Sequence, residues 1–299
     1  MDMFFRKPPS YCELKQKLYE YNRNYSHVKL FSVGESVLGR KLYALGIGNL
    51  KNAMLYTGAT HGQEWLTTLV LLRFFEDLSR CYQEKRPFHD VDLDEIFVER
   101  GFILLPMVNP DGVEIAIHGA ASAGRLQHYV ESIQENTRRS WQANARGVDI
   151  NHNFDAGFSL LKEMEVKNGI TCPGPRQYGG IRPHSEPETR ALVNLCIGLD
   201  VQKTIAFHSQ GEEIYYHYGP NTPKNAVLLA DALAVASGYT AAHPNGMASH
   251  GGFKDWFIEK RKRCGFTIEI GKGENPLPIE DLEPIYDKIG EMMLIGLLL

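Results

Sequence analysis

Apolar and polar positions follow two rhythms along this chain. A period near 3.6 predicts a helix over Glu64–Leu78, with Leu66, Leu69, Val70, Phe74 and Leu78 on one side. Shorter apolar runs predict strands at Lys41–Ile47, Ala53–Thr57, Thr204–Phe207, Ile214–Tyr218 and Gly265–Ile270. Phe102–Val108 is apolar throughout, which fits a strand buried on both faces, and it ends in the turn signal Asn109-Pro110-Asp111-Gly112. Ser185-Glu186-Pro187-Glu188 reads as a capping box opening a helix to Leu199. Pro223–Ser237 and Glu280–Leu299 read as further helices, and residues 1–30 hold a leading one. Strands alternating with helices predict an α/β fold: a mixed twisted sheet flanked by helices on both faces, three layers in all. No linker, repeat or low-complexity tract interrupts it, so 1–299 reads as a single domain.

Composition narrows the function without naming it. The chain is 43% hydrophobic and 23% charged, ordinary for a globular protein able to bury a core. A net charge of -4 without a basic block argues against nucleic acid as a partner. Cys12, Cys81, Cys172, Cys196 and Cys264 are scattered, with no C-x-x-C pair, and read as reduced thiols. The N-terminal MDMFFRKPPSYCELK lacks the apolar core of a signal peptide, and Leu294–Leu299 is too short to span a bilayer. The expectation is a cytoplasmic protein without a membrane partner.

The candidate chemistry lies in two runs, THGQEW and AFHSQG. His61, Glu64 and His208 offer two nitrogens and one carboxylate, a donor set that suits zinc and leaves one position open for water. All three fall near strand ends, where open α/β sheets build their sites. Spacing alone leaves the third ligand open, because His118, His128, His152, His184, His217, His243 and His250 compete with His208. A lone buried histidine is also more often a hydrogen-bonded core residue than a ligand.

The surrounding words lift this ambiguity. THGQEW, NPDG, GVDINHNFDAGF, SEPETRAL, AFHSQG, DWF and GFTIEIG, in that order from Ser32 onward, resemble the M14 zinc carboxypeptidase family. The resemblance implies a zinc metallopeptidase with one zinc per chain, held by His61, Glu64 and His208. It implies Glu269 as general base, and Phe266, Ile268 and Ile270 form the opposite, apolar face of its strand. Asp149 would orient the ring of His61. Arg138, Arg139 and Arg146 are open as the cation for the developing oxyanion; Arg146 is preferred because it shares a word with Asn151. Asn151, His152, Met247, Lys254 and Ser209 are the candidate substrate contacts.

Three departures point to a branch. His152 stands where digestive members carry the arginine that grips a terminal carboxylate, and imidazole cannot supply that bidentate fork. Met247 stands at the substrate-capping tyrosine. Lys254, two residues before Trp256, occupies the base of the pocket for the residue after the scissile bond and would favour an acidic group. With WQANARGVDIN, HSQGEEIYY and GFTIEIGKGENPLP, these features resemble the bacterial γ-D-glutamyl-diamino acid endopeptidases. The implied substrate is a murein peptide cut between γ-D-Glu and meso-diaminopimelate, in cell-wall peptide turnover or recycling. Lys254 would meet the distal carboxylate, and Glu212 or Glu213 the ammonium. A metallocarboxypeptidase for acidic C-termini is the alternative. A binding module without catalysis would have lost a ligand or the base, and the chain retains all four. A deacylase of acidic amino acids should lack the GVDIN-to-SEPET segment.

Overall fold

A computed structural model describes residues 2–135 and 140–298. Eight strands among them form one sheet: β1 (Lys29–Glu35), β2 (Lys41–Gly48), β3 (Ala53–Thr57), β4 (Gly101–Leu105), β5 (Lys203–Ser209), β6 (Glu213–Tyr215), β7 (Thr240–Ala242) and β8 (Gly265–Ile270). Their order across the sheet is β1-β2-β4-β3-β5-β8-β6-β7. The central four, β4, β3, β5 and β8, run parallel. The flanks join through antiparallel pairs of β2 with β4 and of β6 with β8. The sheet is therefore mixed, as the alternation of elements predicts.

Side-chain alternation in the central strands builds the two outer layers. Tyr56, Ile205, Phe207, Phe266 and Ile268 pack against the helices Tyr11–Asn24, Leu66–Gln83, Ala226–Ser237 and Leu282–Leu298. Leu55, Ile103 and Ala206 face the other way, toward Pro187–Gly198 and the short helix Phe253–Trp256. The helix Leu66–Gln83 is buried around most of its circumference, so it sits deep in its layer rather than on the surface.

Several sequence expectations are corrected. β4 ends at Leu105, and Asn109-Pro110-Asp111-Gly112 opens a helix, Pro110–His118, instead of a turn. Asn109 caps it through its side chain, which accepts from Gly112 N at 2.8 Å, and Pro110 takes the first position, where its missing N–H costs nothing. Ser185 is not a capping residue. The helix begins at Pro187 without a side-chain cap, because Ser185 Oγ donates to Glu186 and Glu188 accepts from Val37 N. The capping box lies at the leading helix instead, where Ser10 and Glu13 satisfy each other's backbone N–H. The run Ile214–Tyr218 forms only the short β6. β1, an edge strand of exposed and half-buried residues, lacks a clean two-residue period, so the apolar pattern does not reveal it.

Candidate metal centre

The parallel strands deliver their C-terminal ends to one edge of the sheet, and the candidate ligands arrive there. His61 and Glu64 follow β3; Glu64 lies in the single turn Gly62–Glu64 that precedes the helix Leu66–Gln83. Thr67 Oγ1 locks this turn, donating to Glu64 O at 2.7 Å and accepting from Ala59 N at 2.8 Å. Asn109 pins the same loop: its amide donates to Thr60 O, Gln142 O and Ala143 O. Gly62 packs so close to the first turn of the helix Pro110–His118 that a Cβ would lie 2.2 Å from Gly112 O. His208 sits inside β5, not beyond its end, on the face of Ala206. Glu269 is its register partner on β8. Strand alternation therefore places ligand and acid side by side on the same face.

The three donors converge. His61 Nδ1 is 2.7 Å from Glu64 Oε1, His208 Nδ1 is 3.0 Å from Glu64 Oε2, and the two Nδ1 atoms are 3.3 Å apart. Two imidazole nitrogens so close repel unless a proton or a metal cation lies between them. Tetrahedral zinc ligands at about 2.0–2.1 Å stand about 3.3 Å from one another, so the donor set and its spacing fit zinc. Glu64 and His208 are 3% and 1% exposed, which leaves open only the cleft side of the group.

The remaining polar atoms hold this group in place. Asp149 Oδ1 is 3.2 Å from His61 Nε2, and Asp149 Oδ2 accepts from Gln177 N at 3.0 Å. That carboxylate fixes the ring so that Nδ1 faces Glu64. Electrostatics agree. Burial would raise the Glu64 carboxyl, but His61 and His208 hold it down at about 2. Burial would lower the His61 imidazole, but Glu64 and Asp149 keep it well above its ordinary value. Glu269 goes the other way: burial, then the Glu64 charge, push its carboxyl well up.

A cleft opens in front of this group. Asn151, His152, Met247, Lys254 and Glu269 all line it beside His61. Asn151 Oδ1 accepts from Phe253 N, which ties the loop of His61's partner Asp149 to the short helix carrying Lys254. His152 Nδ1 is 3.0 Å from Gln177 O. Lys254 is paired with Asp255 and donates to His217 O at 2.9 Å.

Other candidates are placed elsewhere. Ser209 Oγ donates to Asn275 Oδ1 at 2.7 Å and does not line the cleft. Arg146 is turned away from the cleft, half exposed, with Nη1 3.4 Å from Glu186 Oε2. Its backbone belongs to a tight turn closed on Asn144 Oδ1, which aims the side chain at that glutamate. Arg138 and Arg139 lie outside the described residues. Glu212 pairs with Lys272 and Lys288, and Glu213 accepts from Tyr215 Oη; neither lines the cleft. Sequence reasoning missed Gln142, Arg176, Tyr215 and Thr267, which do. Arg176 lies in the irregular stretch CPGPRQY, where no periodicity reveals a facing direction.

Comparison with known proteins agrees with this geometry. The family model for zinc carboxypeptidase matches residues 14–289. The chain is 32% identical over 269 residues to γ-D-glutamyl-L-diamino acid endopeptidase 1 of Lysinibacillus sphaericus, covering 89% of this chain and 66% of that protein. It is 33% identical over 259 residues to YqgT of Bacillus subtilis, an uncharacterised protein, covering 85% and 68%. The chain thus spans roughly two thirds of the length of these relatives. In fold it is similar to bovine thrombin-activatable fibrinolysis inhibitor, solved with tick carboxypeptidase inhibitor, at a TM-score of 0.75 and 20% identity over 99% of this chain and 98% of that one. The family model and the converging donor set together place the chain among metal-dependent peptidases. Within that class, the chain belongs to the M14 zinc carboxypeptidase family.

Proposed function

We propose that this metallopeptidase hydrolyses the γ-D-glutamyl–meso-diaminopimelate bond of murein peptides. The observation that carries the reading is the extended match to a γ-D-glutamyl-L-diamino acid endopeptidase. The cleft chemistry is consistent with it, since His152 replaces the arginine expected of a digestive carboxypeptidase and is engaged with Gln177 O. The free thiols, two of them exposed, suit a reducing compartment and a role in recycling wall peptides in the cytoplasm. No helix among the described residues is long and apolar enough to cross a membrane.

In this reading His61, Glu64 and His208 would hold zinc, the two imidazoles turning Nδ1 toward the site. Zinc, when bound, polarises the scissile carbonyl and eases deprotonation of water. Glu269 accepts the proton from the attacking water and passes it to the leaving amine. Its raised proton affinity suits the second half of that task, and burial beside Glu64 is the cause. Asp149 keeps the His61 ring in its tautomer. Asn151, His152, Met247 and Lys254 contact the peptide on either side of the bond.

The second reading, a carboxypeptidase for acidic C-terminal residues, draws on the cationic groups Lys254 and Arg176 in the cleft. One experiment separates the two. The zinc-loaded protein is incubated with L-Ala-γ-D-Glu-meso-diaminopimelate and with an ordinary acidic-tailed peptide, and products are read by mass spectrometry. Release of diaminopimelate from the first supports the murein reading. Trimming of the second alone replaces it with the alternative.

A further inference from the structure

Charges in the cleft are unequally satisfied. Lys254 is neutralised by Asp255 and bonded to His217 O. His152 is held by Gln177 O. Arg176 has neither a hydrogen bond nor an ion pair among the described residues, and its Nε is buried without a partner. A guanidinium left in this state is unusual, because buried donors are nearly always bonded.

The backbone on both sides of Arg176 is fixed to the metal centre. Pro175 O accepts from Gln142 N at 2.8 Å and from Ala143 N at 3.0 Å. Gln177 N donates to Asp149 Oδ2, and Gln177 O faces His152 Nδ1, both at 3.0 Å. Gln177 itself has φ +70°, a left-handed conformation that a non-glycine residue adopts only when its surroundings impose it. One carboxylate, Asp149, therefore orients a metal-ligand candidate with one oxygen and anchors the arginine loop with the other. The backbone that carries the guanidinium thus starts from a preset position, and only side-chain freedom is lost when it binds.

We infer that Arg176 is the specificity residue for a free carboxylate on the residue that follows the scissile bond. The chemistry is the bidentate fork of Nε and Nη against two oxygens, which no lysine or imidazole in the cleft can supply. The loop beside it is bonded to His152, and Arg176 lines the same cleft as His152, which itself offers no fork. The inference rests on the peptidase reading above and names the feature of the substrate that the site demands.

The test uses the full chain in a Glu269→Gln background, where turnover is slowed enough for binding to be measured. Calorimetry compares L-Ala-γ-D-Glu-L-Lys as free acid and as C-terminal amide; lysine has no side-chain carboxylate to confuse the result. With Arg176 present, the acid should bind about tenfold to a hundredfold more tightly than the amide. Arg176→Gln should bring the acid down to the amide's affinity, and Arg176→Lys should restore part of the gap. Zinc content and melting temperature confirm that each variant is folded. Equal weakening on both ligands, or an undiminished preference for the acid, overturns the inference. The same acid–amide comparison on an ordinary acidic-tailed peptide separates failure of the murein reading from failure of Arg176. If only that peptide binds, the murein substrate is wrong; if its acid preference also survives Arg176→Gln, the arginine is wrong too.

Discussion

Asp255 holds the ammonium of its sequence neighbour Lys254 in the floor of the cleft, where the two residues are 1% and 4% exposed. The lysine expected to await an acidic substrate group already has a counter-ion. It retains donor capacity, but its first task is to neutralise a buried carboxylate. Lys254→Met should therefore destabilise the fold by about 3–5 kcal/mol, because it strands the Asp255 charge. Lys254→Met with Asp255→Asn should recover most of that loss. Urea unfolding of the two variants and the parent checks this; a double variant no more stable than the single one removes the pair from the account.

The proposed roles of Glu269 and its three companions separate binding of metal from use of it. Glu269→Gln keeps the shape and leaves His61, Glu64 and His208 untouched. Zinc content by atomic emission should remain at one per chain. Turnover should fall by about 10²–10⁴-fold, the range for removing a positioned general acid–base. A zinc-replete variant that stays active would sink the assignment.

Asp149 acts at one remove. Asp149→Asn preserves an acceptor for either His61 or Gln177 but loses the charge that holds the imidazole. Zinc affinity should drop about 10–100-fold in competition with a chelator, as for other residues that orient a ligand ring. The pH dependence of that competition should also shift, which a purely structural defect would not produce. An affinity equal to the parent's would show that the 3.2 Å contact to Nε2 is incidental.

Glu188 carries a separate, pH-linked prediction. Burial raises its carboxyl from 4.5 to about 7. A carboxyl raised on folding contributes its full stability below the unfolded value, near 4.5. That contribution is lost as pH rises through about 7. Glu188→Gln keeps an acceptor for Val37 N but cannot ionise. Between pH 4.5 and pH 8 the variant should gain on the parent by up to about 3 kcal/mol. Denaturant unfolding at both pH values measures the difference, and parallel pH profiles would contradict it.

The sheet and its central helices were legible because their signals are local. A five-residue apolar run or a 3.6-residue stripe survives without knowledge of the rest of the chain. The convergence of His61, Glu64, His208 and Glu269 was legible only through the words around them, since spacing alone left several histidines in competition. What stayed hidden depends on tertiary contact. Ser185 looked like a cap but bonds Glu186, and Asn109-Pro110 looked like a turn but starts a helix. Arg146 was preferred for its proximity in sequence, whereas the cleft receives Arg176 from a loop with no regular structure. A residue's neighbours along the chain say little about which way a loop side chain points.

His208 and Glu269 are opposite one another in adjacent parallel strands. Neighbouring strands lie about 4.8 Å apart, a spacing set by main-chain hydrogen bonds and indifferent to the side chains they carry. The gap between His208 and Glu269, the proposed ligand and base, is thus a lattice constant of the backbone. The loops bearing His152, Arg176 and Met247 lie outside that lattice. They can be exchanged or lengthened to admit new peptides while the reacting groups keep their separation, so diet and chemistry evolve on separate parts of the molecule.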